Sequence, residues 1–168
     1  MNPVIYIMGV SGCGKTTVGE LVSAQTGIPF FDGDDFHSEQ NKNKMNSGIP
    51  LTDEDRAGWL TALNTLARTE ARKKGAIIAC SALKENYRKR LEEGITAACY
   101  WIFLQGDFDL IYKRMRERKG HFMPLELLQS QFDTLEIPIH ALTEDIKIPP
   151  QEIADDIIKK TRLQKPGA

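Results

Sequence analysis

The sequence predicts an α/β domain built on a parallel sheet of five strands with helices in the crossovers. Three observations carry this. Short apolar runs at 4–8, 28–31, 76–80 and 97–104 alternate with longer stretches of helical spacing. The run at 76–80 is apolar at every position, as suits a strand buried on both faces of a parallel sheet. Turn residues separate the runs, and right-handed crossovers are the rule for such an alternation. At 168 residues the chain fits one domain, 1–168, able to bury a full core without disulfides. Ligands of such a sheet belong beyond the carboxyl ends of its strands.

The first strand, 4–8, runs into Gly9, Val10, Ser11, Gly12, Cys13, Gly14, Lys15 and Thr16, a match to G-x-x-x-x-G-K-[ST]. A helix over 16–25 follows, with Val18, Leu21 and Val22 on one face. Strand, glycine loop and helix is the context in which this pattern cradles phosphate. Glycines let the backbone curl so that successive N–H groups point inward, and the helix N-terminus adds partial positive charge. Lys15 would reach the β- and γ-phosphates of a nucleoside triphosphate, and the Thr16 hydroxyl would ligate Mg²⁺. A glycine turn that binds nothing is the plain alternative, and the flanking elements speak against it.

Thr26 and Gly27 close this helix, and the second strand, 28–31, delivers Asp32, Gly33, Asp34, Asp35, Phe36 and His37 to the same crevice. A single strand-end aspartate is often only a helix cap. Three carboxylates and a histidine beside a triphosphate site are harder to explain that way. Phosphoryl transfer to an alcohol needs one carboxylate to orient the hydroxyl and accept its proton, and another to hold a metal-bound water. Spacing assigns the first role to Asp34 and the second to Asp32.

Residues 38–56 are polar and broken by Gly48 and Pro50, which predicts a short helix and a turn over the crevice. Thr52 with Asp55 forms a capping-box start, Trp59, Leu60, Leu63, Leu66 and Ala67 follow at helical spacing, and Gly75 stops the helix. Arg56 stands in the first turn, where the helix dipole disfavours a cation. That suggests either an anionic partner or a salt bridge to Asp53 or Asp55.

After the third strand, 76–80, Ser81 occupies the place where other P-loop proteins put a metal-side aspartate, and Arg88 and Arg90 ride the next helix. The fourth strand is 97–104, and Gly106 and Asp107 cap a helix over 108–119. Arg114 and Arg118 share one face of it. They either complement the helix C-terminus or serve a lid, beginning at Gly120, that brings an arginine onto the transferring phosphate. Removing such an arginine can cost on the order of 10³-fold or more in rate. Pro124 fits the first position of a helix through Phe132. A fifth strand at 143–148 is followed by a helix begun by Pro149 and Pro150, with Ile153, Ala154, Ile157 and Ile158 inward, and the tail 163–168 is expected to fray.

Composition excludes several classes. Twenty-two Lys plus Arg against 23 Asp plus Glu leave a net charge of −1, so no global field recruits nucleic acid or an anionic membrane. The basic run near Arg114 lacks interleaved aromatics for stacking on bases. Cys13, Cys80 and Cys99 are odd in number and lack C-x-x-C spacing, which argues against disulfides and zinc and fits a reducing cytoplasm. The N-terminus resembles neither a signal peptide nor a membrane span. A GTPase-type regulatory switch would want N-K-x-D, and NKNKM has the wrong fourth residue.

Taken together, GVSGCGKT, DGDDFHSEQNKNKM, GIPLTDEDRAGWL, CSALKENYRKRL, RERKGHFM and LLQSQFDTLE, in this order between Val4 and Glu136, resemble the gluconokinase family. These small kinases make 6-phosphogluconate from D-gluconate and ATP. The resemblance implies a P-loop NTPase fold like that of nucleoside-monophosphate kinases, with strand order 2-3-1-4-5, a short lid and a homodimer. It places ATP on Gly9 to Thr16 and Thr17, with Arg114 and Arg118 as lid arginines, and the sugar acid near Asp34, His37, Lys44, Arg56 and Arg88. Lys15, Asp34 and Arg118 would carry the transfer. An arginine fork suits the gluconate carboxylate, and Asp34 and His37 suit its hydroxyls, without spacing saying which arginine takes the carboxylate.

A shikimate kinase or a kinase of another sugar acid shares the loop and the Asp32, Asp34 pair. It is not expected to carry the H-x-x-x-N-x-x-K-M and P-L-x-D-x-D-R sets. Two positions depart from the family pattern: Ser38 stands where proline is usual, and Cys13 where serine is usual. A thiol beside Lys15 at a helix N-terminus is expected to be reactive and protected by ATP, unless it packs inertly into the loop.

Overall fold

The computed structural model describes residues 1–118 and 124–163. Its elements in chain order are β1 (Val4–Met8), α1 (Lys15–Thr26), β2 (Phe30–Asp32), a 3₁₀ turn (Gly33–Phe36), α2 (Glu39–Asn46), α3 (Asp53–Ala71) and β3 (Ala76–Ala79). Then come α4 (Glu85–Glu92), β4 (Cys99–Gln105), α5 (Phe108–Glu117), α6 (Leu125–Thr134), β5 (Leu142–Asp145) and α7 (Pro150–Thr161). The strands form one sheet in the order β2-β3-β1-β4-β5, parallel throughout.

All five residues of β1 are fully buried because it is the central strand. Its alternation divides the interior into two cores. Ile5 and Ile7 join Ile77, Ile102 and Leu104 beneath Val18 and Val22 of α1 and Ile153 and Ile157 of α7. Val4, Tyr6 and Met8 join Ile78 and Phe103 beneath Trp59, Leu60 and Leu63 of α3 and Tyr87 and Leu91 of α4. The Tyr6 hydroxyl, taken into the second core, donates to the Leu91 carbonyl at 2.8 Å, so no lone polar atom is stranded there.

Element boundaries differ from expectation at identifiable places. The second strand begins at Phe30 rather than Ile28, because Ile28 still belongs to the turn that closes α1: Ser23 Oγ donates to its carbonyl at 2.7 Å. The fifth strand ends at Asp145, whose carboxylate accepts the Lys147 N–H at 2.9 Å and bends the chain away from the sheet. Pro124 stands just before α6 rather than inside it. Among the described residues, no helix is long and apolar enough to cross a membrane.

Candidate active site

The phosphate loop joins β1 to α1 at the carboxyl edge of the sheet. Gly9 has φ +148°, and a Cβ on it would sit 2.8 Å from Cys13 Sγ and 2.9 Å from the Leu104 carbonyl oxygen. A Cβ on Gly12, at φ +77°, would sit 2.6 Å from Met115 Cγ of α5. Both positions therefore require glycine for conformation and for space. Gly14 leads into α1 without a side-chain cap, so the first N–H groups of the helix keep no side-chain partner. Lys15 Nζ donates to the carbonyls of Gly9 at 3.0 Å and Val10 at 2.9 Å, which holds the ammonium across the loop.

Thr16 and Asp32 meet at the foot of the loop. Thr16 Oγ1 donates to Asp32 Oδ2 at 3.2 Å, and Asp32 Oδ1 accepts the Asp34 N–H at 3.0 Å. Two hard oxygen donors side by side at the foot of a phosphate loop fit Mg²⁺, which takes one or two protein oxygens and completes its shell with phosphate and water.

Asp34 lies in the 3₁₀ turn that follows β2. This turn rests on the end of β3, since a Cβ on Gly33 would come within 2.5 Å of the Ala79 carbonyl oxygen. Trp59 Nε1 donates to the Gly33 carbonyl at 2.8 Å and pins the turn to α3. The Asp34 side chain reaches solvent, yet crowding in the cleft raises its pKa above the ordinary carboxylate value. Lys15 pulls the other way, and Asp32 and Asp35 add to the rise. The coupling to Lys15 puts carboxylate and loop in one electrostatic site.

His37 is buried and stacked on Trp59, with ring centroids 4.4 Å apart. Asn41 Nδ2 donates to its Nδ1 at 3.3 Å and to the Asp55 carbonyl at 2.8 Å, which leaves the proton of the neutral ring on Nε2. Burial, with help from Arg56 and Lys42, lowers the His37 pKa to about 4. The ring is therefore a neutral hydrogen-bonding group, not a cation. Ser38 caps α2, its hydroxyl accepting the Asn41 N–H at 3.1 Å, so the departure at this position leaves a well-formed helix start.

The cations expected at the sugar acid separate into three kinds. Lys44 pairs with Asp55 at 2.9 Å and ties α2 to α3. Arg56 pairs with neither Asp53 nor Asp55: its Nη1 donates to the Leu51 carbonyl and to Tyr87 Oη at 3.3 Å, and its guanidinium lies 5.4 Å from the Tyr87 ring centre. Asp53 is occupied by Tyr87 Oη and by Lys84, 3.2 Å away, while Asp55 serves Lys44 and the helix cap. Arg88 is engaged with the fold. It is buried, donating from Nη1 to the carbonyls of Ala82 at 2.7 Å and Leu83 at 3.2 Å and from Nη2 to Glu136 at 3.0 Å. It is a strut between the β3–α4 loop and the exit of α6, with three of its five N–H groups on backbone carbonyls.

Arg114 and Arg118 line a cleft of about 330 Å³ together with Gly12, Gly14 and Thr17 of the loop. Arg114 Nη2 is held by the Ile146 carbonyl at 2.8 Å. The lid expected to begin at Gly120 lies outside the described residues. The opposite wall, Ile146, Ile148, Pro150 and Ile153, was not foreseen as part of the site. The signal existed: the β5–α7 connection is another loop at the carboxyl edge. Trp59, Tyr87 and Lys84 were also missed, having been read only as parts of helices.

Cys13 matches the packed alternative: its side chain is 2% exposed and lies in the first core beneath Gly9, with Lys15 Nζ 3.9 Å from its sulfur.

A family model described as shikimate kinase matches residues 11–162. A probable gluconokinase of Mus musculus is 46% identical over 152 residues, spanning 80% of this chain and 83% of that one. The chain belongs to the gluconokinase family. Among solved structures, a gluconokinase from Sinorhizobium meliloti 1021 matches with TM-score 0.86 and 40% identity, covering 96% of this chain and 93% of its own. A sugar kinase from Janibacter sp. HTCC2649, also 40% identical, matches with TM-score 0.91 over 97% of this chain and 96% of its own. Gluconokinase-family membership joins the loop, the Asp34 turn and the arginine-bearing helices as parts of one kinase fold.

Proposed function

We propose that this chain transfers the γ-phosphoryl group of ATP to the terminal hydroxyl of D-gluconate, giving 6-phospho-D-gluconate and ADP. One observation carries the chemistry: Asp32 bonds both Thr16 of the phosphate loop and the Asp34 N–H, which sets the Asp34 carboxylate beside the loop, where the Lys15 charge acts on it. The names of the relatives supply the substrate. The backbone N–H groups from Gly12 to Thr16 would take the triphosphate, with Val10 and Ser11 at its rim and the purine against the Ile146 to Ile153 wall. Mg²⁺, held by Thr16 and through water by Asp32, would supply charge neutralisation on the phosphates. Asp34 accepts the hydroxyl proton as that oxygen bonds to phosphorus and the bond to the leaving ADP oxygen breaks. Lys15 and Arg118 stabilise the charge that moves onto the phosphate oxygens, and Arg114 supports Arg118 from the same face.

At the acceptor, His37 offers a neutral N–H and Asp34 a carboxylate to the chain of hydroxyls. Arg56 takes the sugar-acid carboxylate, because its guanidinium is anchored at one nitrogen only whereas Arg88 is buried and bonded to backbone through two. Lys44 fixes the segment that covers the sugar. The same reading makes 1–168 one kinase domain, working as a homodimer in the cytoplasm, which the unpaired state of Cys13, Cys80 and Cys99 supports.

The shikimate kinase match keeps a second reading on the table, phosphorylation of shikimate. An ADP-release assay over a panel of sugar acids, polyols and shikimate decides it, with the product checked by 6-phosphogluconate dehydrogenase. Turnover of gluconate is expected. Turnover of shikimate without gluconate would overturn the substrate and leave the kinase.

A further inference from the structure

Gln131 grips the phosphate loop with both ends of its carboxamide. The Ser11 N–H donates to Oε1 at 2.7 Å, and Nε2 donates to Ser11 Oγ at 3.1 Å, across 120 residues of sequence. The helix that presents this group is fixed on both sides. Leu127 and Leu128 are buried three and four positions earlier, hence on the same face. Beyond its end, the Glu136 N–H donates to the Leu83 carbonyl at 2.8 Å and the Glu136 carbonyl accepts from Arg88. From the other side α5 fills the space beside Gly12 with Met115. The two helices that flank residues 119–123 thus both touch the loop, one by packing and one by this paired hydrogen bond.

The direction of the bonds matters. Because Ser11 Oγ accepts from Gln131, its own hydrogen is left for an acceptor elsewhere, which on the kinase reading is the phosphate held by the loop. We infer that Gln131 is a positioning residue for phosphoryl transfer: it sets the Ser11 peptide and turns the Ser11 hydroxyl hydrogen toward the transferring phosphate. This rests on the kinase reading above and adds a residue to it that loop motifs do not contain.

Gln131→Met keeps volume and helix propensity while deleting both bonds. Both bonds also hold the folded chain together, so Tm should fall by a few degrees, while the misplaced Ser11 should cost kcat about tenfold or more, with the KM for gluconate within about twofold, when assayed well below the new Tm. In a Ser11→Ala background the same substitution should cost less than about threefold, since one of the two bonds is already gone. A Gln131→Met enzyme with kcat within twofold of wild type well below its Tm, or an equal loss of kcat in both backgrounds, would overturn the inference. The wild type assayed alongside separates the layers. No gluconate turnover in wild type removes the proposed function and this inference with it, whereas an active wild type with an equally active variant removes the inference alone.

Discussion

Arg88→Ala should damage the fold and not the affinity for the sugar acid. The buried guanidinium serves three backbone carbonyls, those of Ala82, Leu83 and Glu136, at 2.7, 3.2 and 3.0 Å. Hydrogen bonds from a charged donor contribute roughly 1.5–3 kcal/mol each, and buried carbonyls left unpaired add a desolvation cost. Because the three bonds act as a unit, they do not sum, and about 3–5 kcal/mol is the reasonable total. That is a large share of a domain's typical stability of roughly 5–15 kcal/mol. At about 2–4 °C per kcal/mol for a chain of this size, Tm should drop by about 10 °C or more. Ala82 adds to the sensitivity: it is a buried non-glycine residue held at φ +43°, and its carbonyl is one of the three that Arg88 fixes. Urea melts should show a lower midpoint at unchanged m-value, and the KM for gluconate measured well below the new Tm should stay within about threefold. An unchanged urea midpoint with a gluconate KM raised tenfold would return Arg88 to the substrate and refute the strut.

The other expectations concern the cleft. Arg56→Lys keeps the charge but loses the planar fork, so the gluconate KM should rise about tenfold or more at near-constant Tm, and an unchanged KM would exclude Arg56 as the carboxylate partner. Asp34→Asn should retain nucleotide binding and lose about 10²-fold or more in turnover; near-normal turnover would remove the base assignment. Since transfer needs Asp34 ionised and its pKa is raised, wild-type activity should fall with decreasing pH at a midpoint above that of an exposed aspartate, and a midpoint at or below that value counts against it. His37 has a folded pKa of about 4 against 6.5 for the free side chain, so the unfolded chain binds more protons between these values. Its contribution is complete above about pH 6.5 and is lost as pH falls toward 4; urea midpoints should show this slope in wild type and a flatter one in His37→Gln. A thiol reagent should label half-buried Cys99 before Cys13, with or without Mg-ATP, and early ATP-protected labelling of Cys13 would contradict the packing described.

The parts of this protein legible in its sequence are those made by neighbours in the chain. The loop at Gly9 to Thr16, the carboxylates after β2 and the Thr52–Asp55 cap are contiguous, and each stands in the structure as its local pattern dictates. Strands with unbroken apolar runs were readable for the same reason, whereas β5 was misplaced at its end because a side-chain bend at Asp145 leaves no hydropathy signature. The strand order came from family resemblance, not from periodicity. What escaped reading is made across distance. Trp59 acts on Gly33, 26 positions away, Tyr87 on Asp53, 34 away, and Gln131 on Ser11, 120 away. Arg56 and Arg88 look alike as letters near helix starts, and only the destination of each guanidinium tells a substrate cation from a strut.

At the N-terminus of α3 one carboxylate caps the helix and also binds a neighbouring element. Asp55 closes the capping box with Thr52, and the same carboxylate binds Lys44 of α2 at 2.9 Å. The Thr52 N–H first, and Lys44 second, hold its pKa below the usual carboxylate range, so it stays ionised wherever the cap is formed. The next residue is Arg56, and one turn further the helix presents Trp59, whose ring and indole N–H hold His37 and Gly33. Spacing of three and four along one helix therefore delivers the cap, the carboxylate partner and the support of the base-bearing turn to one side. A helix start that anchors the acceptor segment cannot fray without releasing Lys44 and Arg56 together. If Arg56 takes the sugar-acid carboxylate as proposed, substitutions at Thr52 or Asp55 should weaken the stability of this first turn and the affinity for gluconate in parallel, as urea midpoint and gluconate KM would report.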